Sequence, residues 1–290
     1  MHEGELQTDE ALVRRLLADQ FPQWSGLPLE RVASSGTDNA LYRLGRDLVV
    51  RLPRIEWAAG GLDKEFEWLP QLAPLLTVGI SVPLVKGRPA AGYPWEWSVW
   101  PWLEGDNPAV GGIPDPEALA QELAAFVTAL HAVDPDGGPP GSRGVPLAQR
   151  DRDTRKAIAD LEGMIDTKAV TAAWEAALDT PAWAGVPVWI HGDISPGNLL
   201  LRDGRLAAVI DFAGIGVGDP ACDLIVAWNL LPPEARDVFR TELRIDDATW
   251  DRGRGWALSV ALIQLPYYRV TNPALAANAR HVIREVLAES

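Results

Sequence analysis

The stretch VPVWIHGDISPGNLLLRDGRLAAVIDF, residues 186–212, constrains the fold more than any other part of the chain. Two apolar runs, NLLL and LAAVI, are joined through Asp203-Gly204. A two-residue Asp-Gly link between apolar runs signals a tight β-hairpin, because its turn needs positive φ at both central positions. VPVWI enters the region as a further strand. The polar loop HGDISPGN then comes to the same end of the hairpin as Asp211, although Asp193 and Asp211 are 18 positions apart. Asp193, Asn198 and Asp211 should therefore be close in space. Two carboxylates and an amide at one mouth form a hard-oxygen set of the kind that Mg²⁺ bound to phosphates requires. The plain alternative is three turn-forming residues with no further role.

Around this hairpin the pattern changes once along the chain. DEALVRRLLADQFP (9–22) has Leu12, Leu16 and Leu17 at helical spacing. Strand-like runs follow at 29–33, 40–44 and 48–52, separated by turn chemistry, and they read as an antiparallel meander. GLDKEFEWLPQLAPLL is expected as a short helix stopped by prolines, and VPLVKGRP and WEWSVWPWLEG as two more strands. Residues 105–116, rich in Gly, Pro and Asp, are a candidate linker. Beyond them, helical periodicity recurs at 116–134, 152–165, 168–178, 222–230, 233–242, 247–263 and 274–288. A Pro/Gly-rich loop occupies 134–150. The chain reads as α+β, with a β-rich N-terminal lobe over 1–104 and a mostly helical C-terminal lobe over 105–290.

Composition narrows the partners. The chain has 290 residues, enough for two lobes with real cores. A net charge of −14 argues against nucleic acid and is compatible with cationic small substrates. The single cysteine, Cys222, excludes an internal disulfide or a cysteine-based zinc cluster and fits a reducing cytoplasm. No apolar run is long enough to span a membrane, and the first residues do not read as a signal peptide. Oligomeric state is not legible.

HGDISPGN followed by IDFAGIGVGDPACDL resembles the aminoglycoside phosphotransferase family, whose fold is protein-kinase-like. The protein-kinase pattern is an Asp followed five positions later by Asn, then a metal-binding Asp opening a D-F-G triplet. Here the matching residues are Asp193, Asn198 and Asp211-Phe212-Ala213-Gly214. The resemblance implies that Asp193 orients the substrate hydroxyl and that Asn198 and Asp211 bind Mg²⁺ beside the phosphates of ATP or GTP. His191 and Ser195 would shape the loop, and Asp223 would support it. Asp219-Pro220 should open a helix.

The same resemblance requires a strand cation paired with a helix carboxylate. LVVRLPR and LDKEFEWLPQL supply Arg51 and Glu65, with Arg54 as the fallback cation. This departs from the family's lysine, and an arginine fork differs in geometry and reach. Ser35 and Gly36 lie where a phosphate-covering turn belongs. SVWPWLEG, with Trp100 and Trp102, would be the hinge where backbone groups meet the base. The implied activity is ATP-dependent phosphorylation of a small-molecule hydroxyl, with an aminoglycoside as the leading acceptor. The alternatives are a macrolide kinase, a metabolic kinase or a catalytically silent nucleotide-binding protein. Asp134, Asp136, Asp151, Asp153, Asp160 and Glu162 could face a polycation. Tyr267, Tyr268, Trp228 and Trp256 could line an apolar pocket instead.

Overall fold

The computed structural model describes residues 5–33 and 38–289. Helix α1 (Glu10–Gln20) opens under an Asp9 cap, whose carboxylate accepts from the Leu12 N–H at 2.7 Å. Strands β1 (Leu29–Arg31), β2 (Asn39–Leu44) and β3 (Leu48–Pro53) form the expected meander. The short α2 (Glu56–Ala59) leads into α3 (Leu62–Leu72). β4 (Gly79–Ile80), β5 (Val85–Gly87) and β6 (Trp97–Pro101) follow, and β6 inserts between β3 and β5 in a five-stranded sheet of order β1-β2-β3-β6-β5.

Alternation along these strands gives the sheet two working faces. Tyr42, Leu44, Val50, Leu52, Trp97 and Val99 bury against Leu12, Val13, Leu16 and Leu17 of α1 in one hydrophobic core. The intervening residues Leu41, Val49, Arg51 and Trp100 point to the other side, where they line a cleft. α3 passes through the exposed Pro70 and ends at Leu72, ahead of Pro74, as the expected helix does.

Past a long strap, α4 (Pro116–His131), α5 (Asp151–Asp160) and α6 (Thr167–Asp179) begin the helical part. The strap is no loose linker. Asp106 bridges to Leu201, and the Asn107 amide donates to the carbonyls of Gly197 and Leu199 at 3.0 and 2.8 Å. Strand β7 (Val188–Ile190) precedes the hairpin β8 (Leu199–Arg202) and β9 (Arg205–Val209). At the turn, Asp203 and Gly204 both have positive φ, 52° and 77°, as the two-residue link demands. Strand β7 does not join this hairpin; it pairs with β10 (Gly216–Gly218). The chain ends in α7 (Val226–Asn229), α8 (Pro233–Leu243), α9 (Asp247–Tyr268) and α10 (Pro273–Ala288). These helices, the hairpin and the inner face of α3 share a second, larger core. Among the described residues, no helix is long and apolar enough to cross a membrane.

Candidate active site

The hairpin brings the polar loop and Asp211 together through one backbone bond, from the Ile210 N–H to the Asn198 carbonyl at 2.9 Å. Asp193, Ser195, Asn198 and Asp211 all line one cleft of about 1280 Å³. The Asn198 amide nitrogen donates to the Asp193 carbonyl at 2.9 Å and to its Oδ2 at 3.3 Å. This use of the nitrogen leaves the amide oxygen as the atom able to bind a cation. Asp211 sits in the left-handed region at φ 62°, a conformation that Asp tolerates better than most residues. Burial raises the Asp211 carboxyl above its ordinary range, opposed by Arg51 and reinforced by Glu65 and Asp193.

Two buried side chains brace the loop. Asp223, on a turn of 3₁₀ helix over Pro220–Ile225, accepts from the backbone N–H groups of His191 and Gly192 at 3.0 and 2.7 Å. Its Oδ2 also lies 3.2 Å from His131 Nε2. The Asp193 N–H donates to His191 Nδ1 at 3.1 Å, so the ring proton sits on Nε2 and is given to the Ile210 carbonyl at 3.0 Å. The imidazole thus spans the loop and the strand leading to Asp211. Gly192 turns the chain at φ 80°, which favours glycine. Burial pushes the Cys222 thiol up, so this cysteine is no activated nucleophile. Asp219 caps the 3₁₀ turn and also forks onto the buried Arg252, at 2.7 Å from Nε.

Across the cleft, Arg51 meets Glu65 in a two-pronged ion pair, with Nη1 donating to Oε1 at 3.0 Å and Nη2 to Oε2. The guanidinium lies over the Trp100 ring, 4.4 Å from its centroid. Trp100 is itself pinned by an Nε1 bond to Ser98 Oγ at 2.7 Å. Arg51 Nε is buried with no hydrogen-bond partner among the described residues. Arg54, the fallback cation, is paired with Glu5 and does not line the cleft. Trp102 does line it, but its backbone N–H donates to the Asp47 carbonyl at 2.7 Å. Pro101, Leu103 and Gly105 of the same stretch line the cleft beside it. Leu41, Val49, Leu200 and Ile210 give this end apolar walls. Ser35 and Gly36 lie outside the described residues.

Sequence reasoning missed Arg143. Its Nη1 donates to the Gly192 carbonyl at 2.8 Å and to Asp193 Oδ1. The Pro/Gly-rich loop reaches the site because it is laced to β10. Gly141 N–H donates to Val217 O at 2.9 Å, Val217 N–H to Pro139 O at 2.8 Å, and Asp219 N–H to Gly144 O at 2.9 Å. A lone arginine in a loop without periodicity offers no signal of this contact.

The far end of the cleft is walled by α9 and α10, including Val260, Ile263, Tyr267, Tyr268 and Leu275. No carboxylate from either helix lines it, and Asp134, Asp136, Asp151, Asp153, Asp160 and Glu162 all lie elsewhere. Trp228 and Trp256 are fully buried core residues and do not line it either. Only the two tyrosines of that aromatic set reach the cleft.

The chain matches the model of the phosphotransferase enzyme family over residues 30–256 and belongs to that family. It is 29% identical over 119 residues to an aminoglycoside 3'-phosphotransferase of Escherichia coli, covering 40% of this chain and 44% of that one. The chain spans about half the length or less of the curated relatives it matches, 47% and 44% for two of them. Among solved structures it resembles the GDP and kanamycin complex of APH(2")-IIia, with a TM-score of 0.78 and 21% identity over 96% of this chain and 99% of that one. It also resembles the apoenzyme of a macrolide 2'-phosphotransferase from Brachybacterium faecium, with a TM-score of 0.65 and 25% identity over 96% and 98% of the two chains. The two-lobed, kinase-like α+β architecture is thus that of the family's phosphotransferases.

Proposed function

We propose that this chain transfers the γ-phosphoryl group of a nucleoside triphosphate to a hydroxyl of a small molecule. The observation that carries the reading is the convergence of Asp193, Asn198 and Asp211 on one cleft, opposite the Arg51–Glu65 pair. In this reading residues 1–104 hold the nucleotide and 105–290 supply the catalytic loop and the acceptor wall. The base lies between Leu41 and Val49 on one side and Leu200 and Ile210 on the other. Arg51 holds the phosphates with the N–H groups that Glu65 does not use.

Mg²⁺ fits the residues present. Among the described residues no group of three His, Cys, Asp or Glu side chains could hold a metal, which disfavours a closed protein cage. One carboxylate and one amide oxygen, with phosphate oxygens and water completing the shell, suit Mg²⁺. Asp211 and Asn198 would hold the ion, and its chemistry would be neutralisation of phosphate charge.

Asp193 positions the acceptor. Arg143 occupies Oδ1, and Oδ2 takes only the long bond from Asn198. Oδ2 is therefore the oxygen that orients the substrate hydroxyl and takes its proton. The hydroxyl oxygen bonds to the γ-phosphorus as the bond to the bridging oxygen breaks, and the electron pair leaves on the nucleoside diphosphate. Phosphate transfer from ATP and from GTP, assayed over hydroxylated antibiotics and metabolites, tests the reading. Asp193→Ala should lower turnover on the order of 10²-fold or more while nucleotide still binds. Near-normal turnover in the folded variant would remove Asp193 from the mechanism.

The relatives favour an aminoglycoside as the acceptor. One observation favours a second reading, a macrolide-like ring. The α9–α10 wall presents Val260, Ile263, Leu275 and two tyrosines beside Gln264, Asn278, His281 and Arg284, and no carboxylate of its own, although Asp38 lines the same cleft.

A further inference from the structure

Asn107 stands in the strap that follows β6, outside both the polar loop and the hairpin, yet its side chain reaches both. Its Nδ2 donates to the carbonyls of Gly197 and Leu199, at 3.0 and 2.8 Å. These residues stand on either side of Asn198, the amide assigned above to Mg²⁺. Both N–H groups of one amide are thus spent on the backbone that frames a single side chain. The strap is in register for this contact. Strand β8 is the outer strand of its sheet, order β4-β9-β8, and the strap covers its open edge. Asp106 and Leu201 exchange both backbone bonds there, at 2.9 and 2.8 Å. The Asn107 side chain then continues the ladder to Leu199, two residues back along β8.

Two peptide planes meet at the Asn198 Cα, and each is bonded at both ends. In the first, the Gly197 carbonyl accepts from Asn107 and the Asn198 N–H donates to the Ser195 carbonyl at 2.9 Å. In the second, the Asn198 carbonyl accepts from the Ile210 N–H at 2.9 Å and the Leu199 N–H donates to the Pro196 carbonyl. Fixing two rigid planes fixes φ and ψ between them, and with them the direction in which the side chain leaves the backbone. Of the four bonds, the one from Asn107 comes from outside residues 191–211. Mg²⁺ demands near-octahedral geometry and tolerates little misplacement of a ligand. We propose that Asn107 is a positioning residue for the metal: it holds the backbone around Asn198 so that the Asn198 amide oxygen meets the ion. The inference rests on the phosphotransferase reading above and on Asn198 as a ligand within it. Asn107 is exposed. Water can therefore replace it at both carbonyls, and its two bonds contribute little to folding. Water cannot tie those carbonyls to the strap. Loss of Asn107 thus falls on the placement of Asn198 and not on stability.

The test titrates the full chain with the non-hydrolysable β,γ-imido analogues of ATP and GTP, by calorimetry, over a series of Mg²⁺ concentrations. The Kd of the parent for at least one analogue should fall as Mg²⁺ rises, and the midpoint of that fall reports the ion. Asn107→Ala should move the midpoint to Mg²⁺ concentrations about tenfold higher or more. Its Kd without Mg²⁺ and the melting temperature of the free protein should stay close to the parent's. Asn107→Gln, which keeps an amide donor on a longer stem, should move the midpoint less. Asn198→Ala should move it at least as far as Asn107→Ala. A midpoint unchanged in Asn107→Ala but moved in Asn198→Ala overturns the proposal and leaves the metal assignment in place. A shifted midpoint accompanied by an equal loss of Mg²⁺-free binding, or by a lowered melting temperature, also overturns it, because the role is then purely structural. If Asn107→Ala does not fold, Asn107→Gln decides, and a midpoint equal to the parent's overturns the proposal. A parent whose Kd does not respond to Mg²⁺ overturns the metal assignment and this inference with it, while nucleotide binding stands. A parent that binds neither analogue at any Mg²⁺ concentration overturns the phosphotransferase reading itself.

Discussion

Arg143 holds the carboxylate on which the proposed chemistry turns. The guanidinium bonds both the Gly192 carbonyl and Asp193 Oδ1, so it sets the loop and the side chain at once. The charge of Asp193 raises the Arg143 pKa against the opposing effect of burial. Arg143→Gln should keep some hydrogen bonding but lose the charge, and turnover should fall by about tenfold or more with little change in nucleotide KM. Arg143→Lys should recover part of the loss, since a point charge can pair with Oδ1 but cannot fork onto the carbonyl as well. Steady-state kinetics on the two variants checks this, and equal turnover in both and in the parent would remove Arg143 from the positioning role. Arg51 stands in a different relation to its surroundings. Where the family pattern has lysine, the arginine gains a planar surface that rests on Trp100 and two prongs that match Glu65. The replacement is thus accommodated by an aromatic neighbour two residues beyond Ser98, to which Arg51 is paired across the sheet.

At the scale of elements, legibility followed the range of the forces involved. The hairpin was readable because Asp203-Gly204 is a local turn requirement, and the proximity of Asn198 and Asp211 follows from it. The helix start at Pro220 was readable for the same reason, although the turn is 3₁₀ before it becomes α at Val226. The end of α3 was readable in the same way, since it stops at Leu72 just ahead of Pro74 while the exposed Pro70 stands inside it. The reach of α9 past residue 263 to Tyr268 was hidden by Pro266, yet that last turn carries the tyrosines into the cleft. The loop around Arg143 was illegible because long-range bonds to distant elements, backbone and side chain alike, fix it. Asp219 shows how a local signal can conceal a long-range one: it reads as a helix cap and is also half of a buried ion pair with Arg252. Asp219→Ala removes one partner and leaves the arginine charge buried, which should destabilise the fold by roughly 3–5 kcal/mol. Urea denaturation checks it, and a loss below about 1 kcal/mol would reduce the pair to the worth of a surface one.

For the whole molecule, net charge proved a poor guide to the site. The chain carries −14, but the helical-part carboxylates expected to meet a polycation, from Asp134 to Glu162, lie away from the cleft. Composition has no positional content; only folding decides which acids share a wall. What folding does bring together is the proposed nucleotide site, whose residues come from two cores. Arg51 projects from the sheet that packs on α1, whereas Asn198 and Asp211 belong to the hairpin seated among the helices. A nucleotide bound between them should stabilise both parts together. At a free concentration of about 100 times its Kd, Mg·ATP or Mg·GTP should add about 2.7 kcal/mol to the folded state, visible as a rise in melting temperature that chelation of Mg²⁺ reduces. Arg51→Ala should remove most of that rise at the same nucleotide concentration, because it deletes charge-assisted bonds of roughly 1.5–3 kcal/mol each. Asp211→Ala should do the same through the opposite wall, and should also abolish the dependence on Mg²⁺. Arg51→Lys should retain part of the rise. A melting temperature that neither nucleotide moves, at any Mg²⁺ concentration, would mean that the two walls do not share a phosphate, and the proposed chemistry would lose its donor.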